Sequence, residues 1–430
     1  WYNERYNVLK RKKMELQEGV NLHFIESSKF TTNRIRVRFA AAMSEKTVAG
    51  RVLLANLLEM GNQDYPTARQ LRMKLAALYG AHFSTSVSKR GRVHFVDVNI
   101  SYVKSSFLLN KEDITLEIID FLYACLFRPL KEGKAFNKKM FEVEKRNLLS
   151  FLESEVEDNF YHADVEMSRL YFNDEDIQVP RVARIDLVQK ETAESVYEAY
   201  KRMLKMDRID IFVAGEVNQL EVQNKFKNFD FTYRNPKLEL EYLQDYSNIV
   251  HEKVERKVAQ QSILELAYHL QVVYNDVNYP ALLVFNGLFG AFSHSKLFMN
   301  VREKESLAYT IGSQVNIFSG MLKVYAGINR EDRLRTMRLI NREFLAIKRG
   351  QITEDDLELT KKSLTHSAML AQDRQNNLIE QAYNEVCLGE RNLTWQQWID
   401  GINAVSIDDV VKVGKVIRLQ AIYFMEGVAQ

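Results

Sequence analysis

Cysteine is nearly absent: Cys125 and Cys387 are the only two in 430 residues. So far apart, they outline neither a disulfide scaffold nor a C-x-x-C pair. Cys125 lies in the apolar run Leu122-Tyr123-Ala124-Cys125-Leu126-Phe127 and reads as a reduced core thiol of a cytosolic protein. Proline and glycine are scarce, 5 and 17, which argues against long disordered stretches in a chain that is 46% hydrophobic and 27% charged. Neither sign of charge dominates: 59 basic and 57 acidic residues leave a net +2, which favours neither nucleic acid nor an anionic membrane as partner. The one dense basic run, Lys10-Arg11-Lys12-Lys13, stands beside Glu15 and Glu18 and reads as a solvated face. Long apolar runs are missing too. Residues 281–292 are interrupted by Asn286 and fall short of the roughly 20 residues that span a bilayer. Trp1-Tyr2-Asn3-Glu4-Arg5 is no secretory leader. A soluble, cytoplasmic protein is expected.

Catalytic motifs are missing as well. The eight histidines are His23, His82, His94, His162, His251, His269, His294 and His366, and the closest two, His82 and His94, are twelve apart. A helical zinc site takes histidines at i and i+4, which puts both imidazoles on one face. Neither H-E-x-x-H nor H-x-x-E-H occurs, and there is no G-x-S-x-G, P-loop or G-x-G-x-x-G. Glu153, Glu155, Glu157 and Asp158 read as a solvated helix face, with His162 a surface or capping residue. His82 and His94 lie on strand-like text and read as packing or surface residues.

What is present is a pattern that plays twice. Residues 20–25 and 35–39 alternate as strands, and helices are predicted over 48–60, closed by Gly61, and over 68–78. Strands follow at 83–87 and 93–102, then a helix over 116–126, a long charged helix from 137 past 157, and a strand at 209–215. The second half repeats the order: a strand at 262–268, helices at 279–289 and 295–304, strands at 311–317 and 322–328, and helices at 331–348 and 354–384. Length and repetition together point to two copies of one α+β unit, each an antiparallel sheet packed on helices. The expected division is 1–227, a polar linker at 228–250, and 251–430.

The run Leu288-Phe289-Gly290-Ala291-Phe292-Ser293-His294-Ser295-Lys296-Leu297-Phe298 continues as Met299-Asn300-Val301-Arg302-Glu303-Lys304-Glu305-Ser306-Leu307-Ala308-Tyr309. It resembles the C-terminal-domain signature of the M16 peptidases, the insulinase, pitrilysin and mitochondrial-processing-peptidase family: a Gly/Ser turn, a helix ending in Arg-Glu, then Leu-Ala-Tyr. The resemblance extends over nearly the whole chain and implies a LuxS/MPP-like metallohydrolase fold. In that register the inverted zinc motif falls on Asn56-Leu57-Leu58-Glu59-Met60. Asn56 and Met60 stand at the two histidine positions, and only Glu59, at the general-base position, is kept. The third ligand position, seven residues after Glu144, is Phe151, with Glu153 nearby. No metal is therefore expected in this chain, and Glu59 has no water to activate.

In the family, an arginine and a tyrosine seven residues apart hold the substrate backbone and steady the oxyanion. The resemblance assigns these roles to Arg302 and Tyr309, chemistry that suits a forked cation and a phenol. The plain alternative is a helix arginine paired with Glu303 or Glu305 and a packed tyrosine. The implied function is a non-catalytic subunit. It pairs with an M16 chain that carries H-x-x-E-H and zinc, and supplies chamber wall, strand-like peptide docking and the Arg302–Tyr309 grip. Similar Gram-positive chains are often encoded beside such a partner, and a homodimer of the isolated chain is also compatible. Two rivals stand: a purely structural or peptide-binding homologue, like the core subunits of the respiratory bc1 complex, and a divergent metallohydrolase built on Glu59, Glu144 or Glu153.

Overall fold

The structure, a computed structural model, describes residues 11–274 and 276–428. The chain divides into two units: residues 1–153, 180–239 and 374–387 form unit 1, and 154–179, 240–373 and 388–430 form unit 2.

In unit 1 the strands are β1 (Arg11–Gln17), β2 (Val20–Glu26), β3 (Thr32–Ala42), β4 (His82–Arg90), β5 (Val93–Val103) and β6 (Arg208–Gly215). They form one sheet in the order β1-β2-β6-β3-β5-β4, antiparallel except for the pair β2 and β6. Its helices are α1 (Glu45–Leu58), α2 (Ala68–Ala77), α3 (Thr115–Phe127), α4 (Lys138–Glu157, whose last residues group with unit 2), α6 (Ala193–Met206) and α7 (Gln219–Lys227), while α5 (Asn159–Tyr171) belongs to unit 2. In unit 2 the strands are β7 (His251–Val258), β8 (Ser262–His269), β9 (Ala308–Asn316), β10 (Met321–Ile328) and β11 (Arg418–Val428), in the order β9-β10-β8-β11-β7. Again all are antiparallel except one pair, β7 and β11. The remaining helices are α8 (Tyr279–Asn286), α9 (Leu297–Lys304), α10 (Arg333–Lys348), α11 (Glu354–Ala371), α12 (Gln375–Leu388), α13 (Trp395–Ala404) and α14 (Ile407–Val416).

Element order and strand pairing match β2, β3, β4, β5 and β6 with β7, β8, β9, β10 and β11. They also match α1, α2 and α3 with α8, α9 and α10. The expected α+β class with two homologous sheet-and-helix domains is the observed one, with one parallel pair added to each sheet. The β1 strand before β2 and the α7 helix after β6 have no counterpart at the same place among the described elements of unit 2.

The chain exchanges one helix in each direction. The α5 helix groups with unit 2 and nearly all of α12 with unit 1, and each meets its sheet through buried charge. On β3, Ile35, Val37 and Phe39 are fully buried on one face, while Arg36 and Arg38 on the other are 6% and 2% exposed. Arg38 forks onto Asp97 of β5 at 2.8 Å through Nε and Nη2 and donates to Glu380 of α12 at 2.6 Å. Arg36 reaches Glu380 at 2.5 Å, and Arg90 reaches it at 2.9 Å. Burial alone would raise the Glu380 carboxyl, but Arg38, then Arg36 and Arg90, hold it at about 2. In unit 2, Lys323 of β10 pairs with Asp164 of α5 and, at 3.2 Å, with Glu265 of β8. Here burial pushes the Glu265 carboxyl up to about 7 against the pull of Lys323, and one of its oxygens has no hydrogen-bond partner.

Both long predicted helices are broken. The first ends at Glu157, and Asp158 caps a new helix by accepting from the amides of Phe160 and Tyr161. The second ends at Ala371 and restarts at Gln375. At the second break the chain passes from unit 2 to unit 1, whereas the first unit boundary, at 153/154, lies within the last turn of α4. Strands β1, β7 and β11 were not predicted. His162 is not a surface or capping residue: it faces β7 and lies 3.1 Å from Glu255. Of the basic run, Arg11, Lys12 and Lys13 open edge strand β1, where lysines discourage unwanted pairing, and Lys10 lies outside the described residues.

Glu380 contributes stability above its unfolded value of 4.5, and that contribution is lost as pH falls towards about 2. Glu380→Gln strands buried arginines and is expected to lower stability at pH 7 by about 3 kcal/mol. Denaturant unfolding checks this, and the gap from wild type should narrow below pH 4.5. Glu265 runs the other way: its raised carboxyl costs stability as pH rises from 4.5 through about 7. Glu265→Gln should therefore be neutral or stabilising at pH 8 in the same measurement.

Candidate functional site

The α1 helix is capped by the Ser44 hydroxyl, and its body is almost entirely buried, with Val48, Leu53 and Leu54 in the core. Arg51, 5% exposed, anchors it by donating to Asp207 at 2.6 Å and to the ring Nδ1 of His94 at 3.1 Å. Burial, then Arg51, lowers the His94 imidazole to about 3, so it is neutral and donates to the Arg181 carbonyl at 2.9 Å. His94 is thus a packing residue with both ring nitrogens engaged.

The helix stops at Leu58, and the Met60 amide turns back to the Leu57 carbonyl at 3.1 Å. Asn56 therefore stands in the last helical turn and Met60 beyond it, so the two do not share a regular helical face. Glu59 is the C-cap. A carboxylate is unfavourable at a helix C-terminus, where the dipole is negative. Glu59 is instead tied down by Thr85 of β4, whose amide donates to Oε1 and whose hydroxyl lies 2.7 Å from it and 2.9 Å from the Ala55 carbonyl. Because β4 pairs only with β5 among the described strands, Glu59 occupies part of the other edge of β4. On α4, burial and then the nearby Glu59 charge raise the Glu144 carboxyl, opposed by Asn147, which donates to it at 3.0 Å. Phe151 is 44% exposed, and Glu153 is exposed. The three positions expected from the resemblance hold an amide, a thioether and a phenyl, a donor set that does not fit zinc. Among the described residues no group of three or more His, Cys, Asp or Glu side chains is placed to hold a metal.

In unit 2, α8 runs on into wide π turns over Gly287–Ala291, and α9 is wound the same way. Such turns recur at functional sites. Gly290 lets this backbone touch β9: a Cβ there would lie 2.6 Å from the Ser313 hydroxyl. The α9 helix is closed by Ser306 at φ +53, with the Leu307 amide donating to the Val301 carbonyl at 3.1 Å. Arg302 lies in its last turn, 3.7 Å from Glu303 and with its guanidinium 4.7 Å above the Phe298 ring. Glu305 is committed elsewhere, accepting from Arg335 at 2.6 Å.

The β9 strand starts at Ala308, earlier than expected. Ala308 pairs with Ile328 and Thr310 with Gly327, so Tyr309 is the extra residue of a bulge. A bulge re-aims its side chain, and Tyr309 is 67% exposed. Among the described strands, edge strand β9 pairs only with β10. Neither the bulge nor the Thr85 contact had a signal in the sequence, since both depend on strand register.

Residues 190–364 match the family described as Peptidase M16 inactive domain. Over 415 residues, 95% of this chain and 96% of the relative, the chain is 29% identical to a Bacillus subtilis (strain 168) protein described as probable inactive metalloprotease YmfF. Residues 190–364 thus carry an M16 peptidase inactive domain. A conserved protein of Enterococcus faecalis V583 of solved structure is 39% identical and superposes with a TM-score of 0.94 over 98% of this chain and 99% of that one. A peptidase M16 inactive domain from Pseudomonas fluorescens shares the fold at 15% identity, with a TM-score of 0.78 over 98% of this chain and all of that one. The domain match and the Bacillus subtilis relative support an inactive M16 peptidase-like protein. No helix among the described residues is long and apolar enough to cross a membrane.

If Glu59 serves only as a cap held by Thr85, Glu59→Gln should change stability by less than about 1 kcal/mol. Thermal unfolding and a zinc titration check this. A large loss of stability, or zinc bound stoichiometrically by the wild type and not by the variant, would contradict it.

Proposed function

We propose that this M16 chain is the non-catalytic member of a two-chain peptidase. Its partner is an M16 chain bearing H-x-x-E-H and the zinc, and hydrolysis is the partner's chemistry. This chain supplies chamber wall and holds peptide through Arg302 and Tyr309. The observation that carries the reading is the bulge at Tyr309. It turns a phenol to solvent at the start of an edge strand, seven residues after an arginine whose one ion-pair neighbour among the described residues stands at 3.7 Å. The open side of β9 offers backbone groups to an extended peptide, the guanidinium offers a fork to its carbonyls, and the phenol offers one more donor. The free thiols of Cys125 and Cys387 support a cytoplasmic setting.

The first test is a pull-down of the tagged chain from its own cells with mass spectrometry. Recovery of an M16 chain bearing H-x-x-E-H in equal amount is expected. Recovery of this chain alone, or with unrelated proteins, would favour a purely structural or peptide-binding role. In the reconstituted pair, Arg302→Ala and Tyr309→Phe are expected to lower kcat/KM for peptide cleavage by about 10- to 100-fold. Unchanged kinetics would remove the grip from the proposal.

A further inference from the structure

The two units differ on one flank. In unit 1, α7 and the segment after it cover α3. Val222 and Phe226 of α7 are buried, Phe229 packs on Tyr123 and Phe127 with ring centroids 5.2 and 5.6 Å apart, and Phe231 packs on Phe127 at 5.4 Å. Charge matches across this contact: Lys225 of α7 meets Asp120 of α3 at 2.6 Å. The neighbouring strand β2 has its outer edge closed by β1.

Unit 2 has neither cover among the described residues. Beside α10, the counterpart of α3, runs a groove of about 760 Å³, floored by Leu266 of β8, Ile417, and Leu419 of β11. Past Leu334 it meets a second hollow of about 510 Å³ over Val254 and Phe424. The α10 face that lines it, from Leu334 through Met337 and Leu345 to Lys348, is about 20 Å long at the ordinary helical rise. Leu334 is 65% exposed and Val254 49%. The outer edge of β7 pairs with no described strand.

The rim carries charge opposite to that of α3. Arg338, Lys348 and Arg418 line the larger groove, which has no acidic lining residue. Lys348 lies over the Phe344 ring at 5.2 Å and Arg418 over Tyr246 at 4.8 Å, and none of the three has a carboxylate within ion-pair distance among the described residues. Burial, then Arg418, lowers the Lys348 ammonium. At the other end, Arg333 is already paired with Glu252 and Arg330 with Glu426.

We infer that this groove is the docking site for an amphipathic helix with an acidic edge from a partner polypeptide, seated on α10 as α7 is seated on α3. The apolar face fills the groove between α10 and β11, and its carboxylates meet Arg338, Lys348 and Arg418. The inference does not depend on the peptide grip at Arg302 and Tyr309.

The test places a photo-crosslinking residue at Leu334 in the full chain, expressed in its own cells, and maps the adduct by mass spectrometry. The same residue at Leu220, 66% exposed on α7, is the control. The expected result is an adduct at position 334 alone, mapped to an acidic helical stretch of another polypeptide. It should fall at least tenfold in Lys348→Glu/Arg418→Glu, whose folding is checked by circular dichroism. The inference is overturned by no adduct above the control, by an adduct with a second copy or within the chain itself, by one mapped to a basic or extended segment, or by labelling that survives the charge reversal.

Discussion

Two arginines on one face of a single strand set the terms for unit 1. Arg36 and Arg38 lie almost wholly out of water, where an unpaired guanidinium is unsustainable. Asp97 neutralises one charge from within the sheet, and the second needs a carboxylate from outside it, which is Glu380. The far face of the sheet is therefore closed by a helix held by charge, with Tyr383 adding its ring under Arg38 at 4.5 Å. The opposite face, where α1 sits, is held by apolar packing. The two faces answer to different physics, so the helix end that carries Glu59 is positioned by the core, while α12 is positioned by ion pairs that respond to pH.

Unit 2 repeats the arrangement with the signs redistributed. Its buried acid is on β8 and its base on β10, and Asp164 of α5 completes the set. Lys323 has two carboxylates to serve, so one of them, Glu265, is left poorly compensated and shifts upward. Burying more acid than base has the opposite outcome from unit 1, where three arginines converge on one glutamate and hold it far down.

Most strands of both sheets were legible because alternation exposes one apolar face per strand, as in Ile35-Arg36-Val37-Arg38-Phe39. The same alternation misleads about the other face. Arg36 and Arg38 look solvated in the sequence, and only the distant Glu380 shows why they are not. The β7 strand was invisible for a related reason: His251-Glu252-Lys253-Val254-Glu255-Arg256 is charged throughout, since its half-buried face meets His162 and Glu166 of α5 rather than apolar side chains. Helix breaks at Asp158 and Gln372 carry no glycine or proline, so nothing local marked them. The expectation that Asn56, Met60 and Phe151 stand at altered ligand positions rests on register alone. The end of α1 before Met60 and the bulge at Tyr309 were not readable in the sequence, because hydrogen bonds between non-adjacent residues create them.

The helix exchange bears on how the protein is made. Unit 1 is not complete until Cys387 has been synthesised, although its other segments end at Glu239. Arg36 and Arg38 must wait for Glu380 through about 140 residues of further translation, roughly ten to thirty seconds at bacterial speeds. During that interval the emerging first sheet presents a face whose arginines still lack the Glu380 carboxylate, beside the ribosome, itself a polyanion. The nascent chain is thus most vulnerable to misassembly where the finished protein is most tightly bound, and a holding chaperone has its clearest task there.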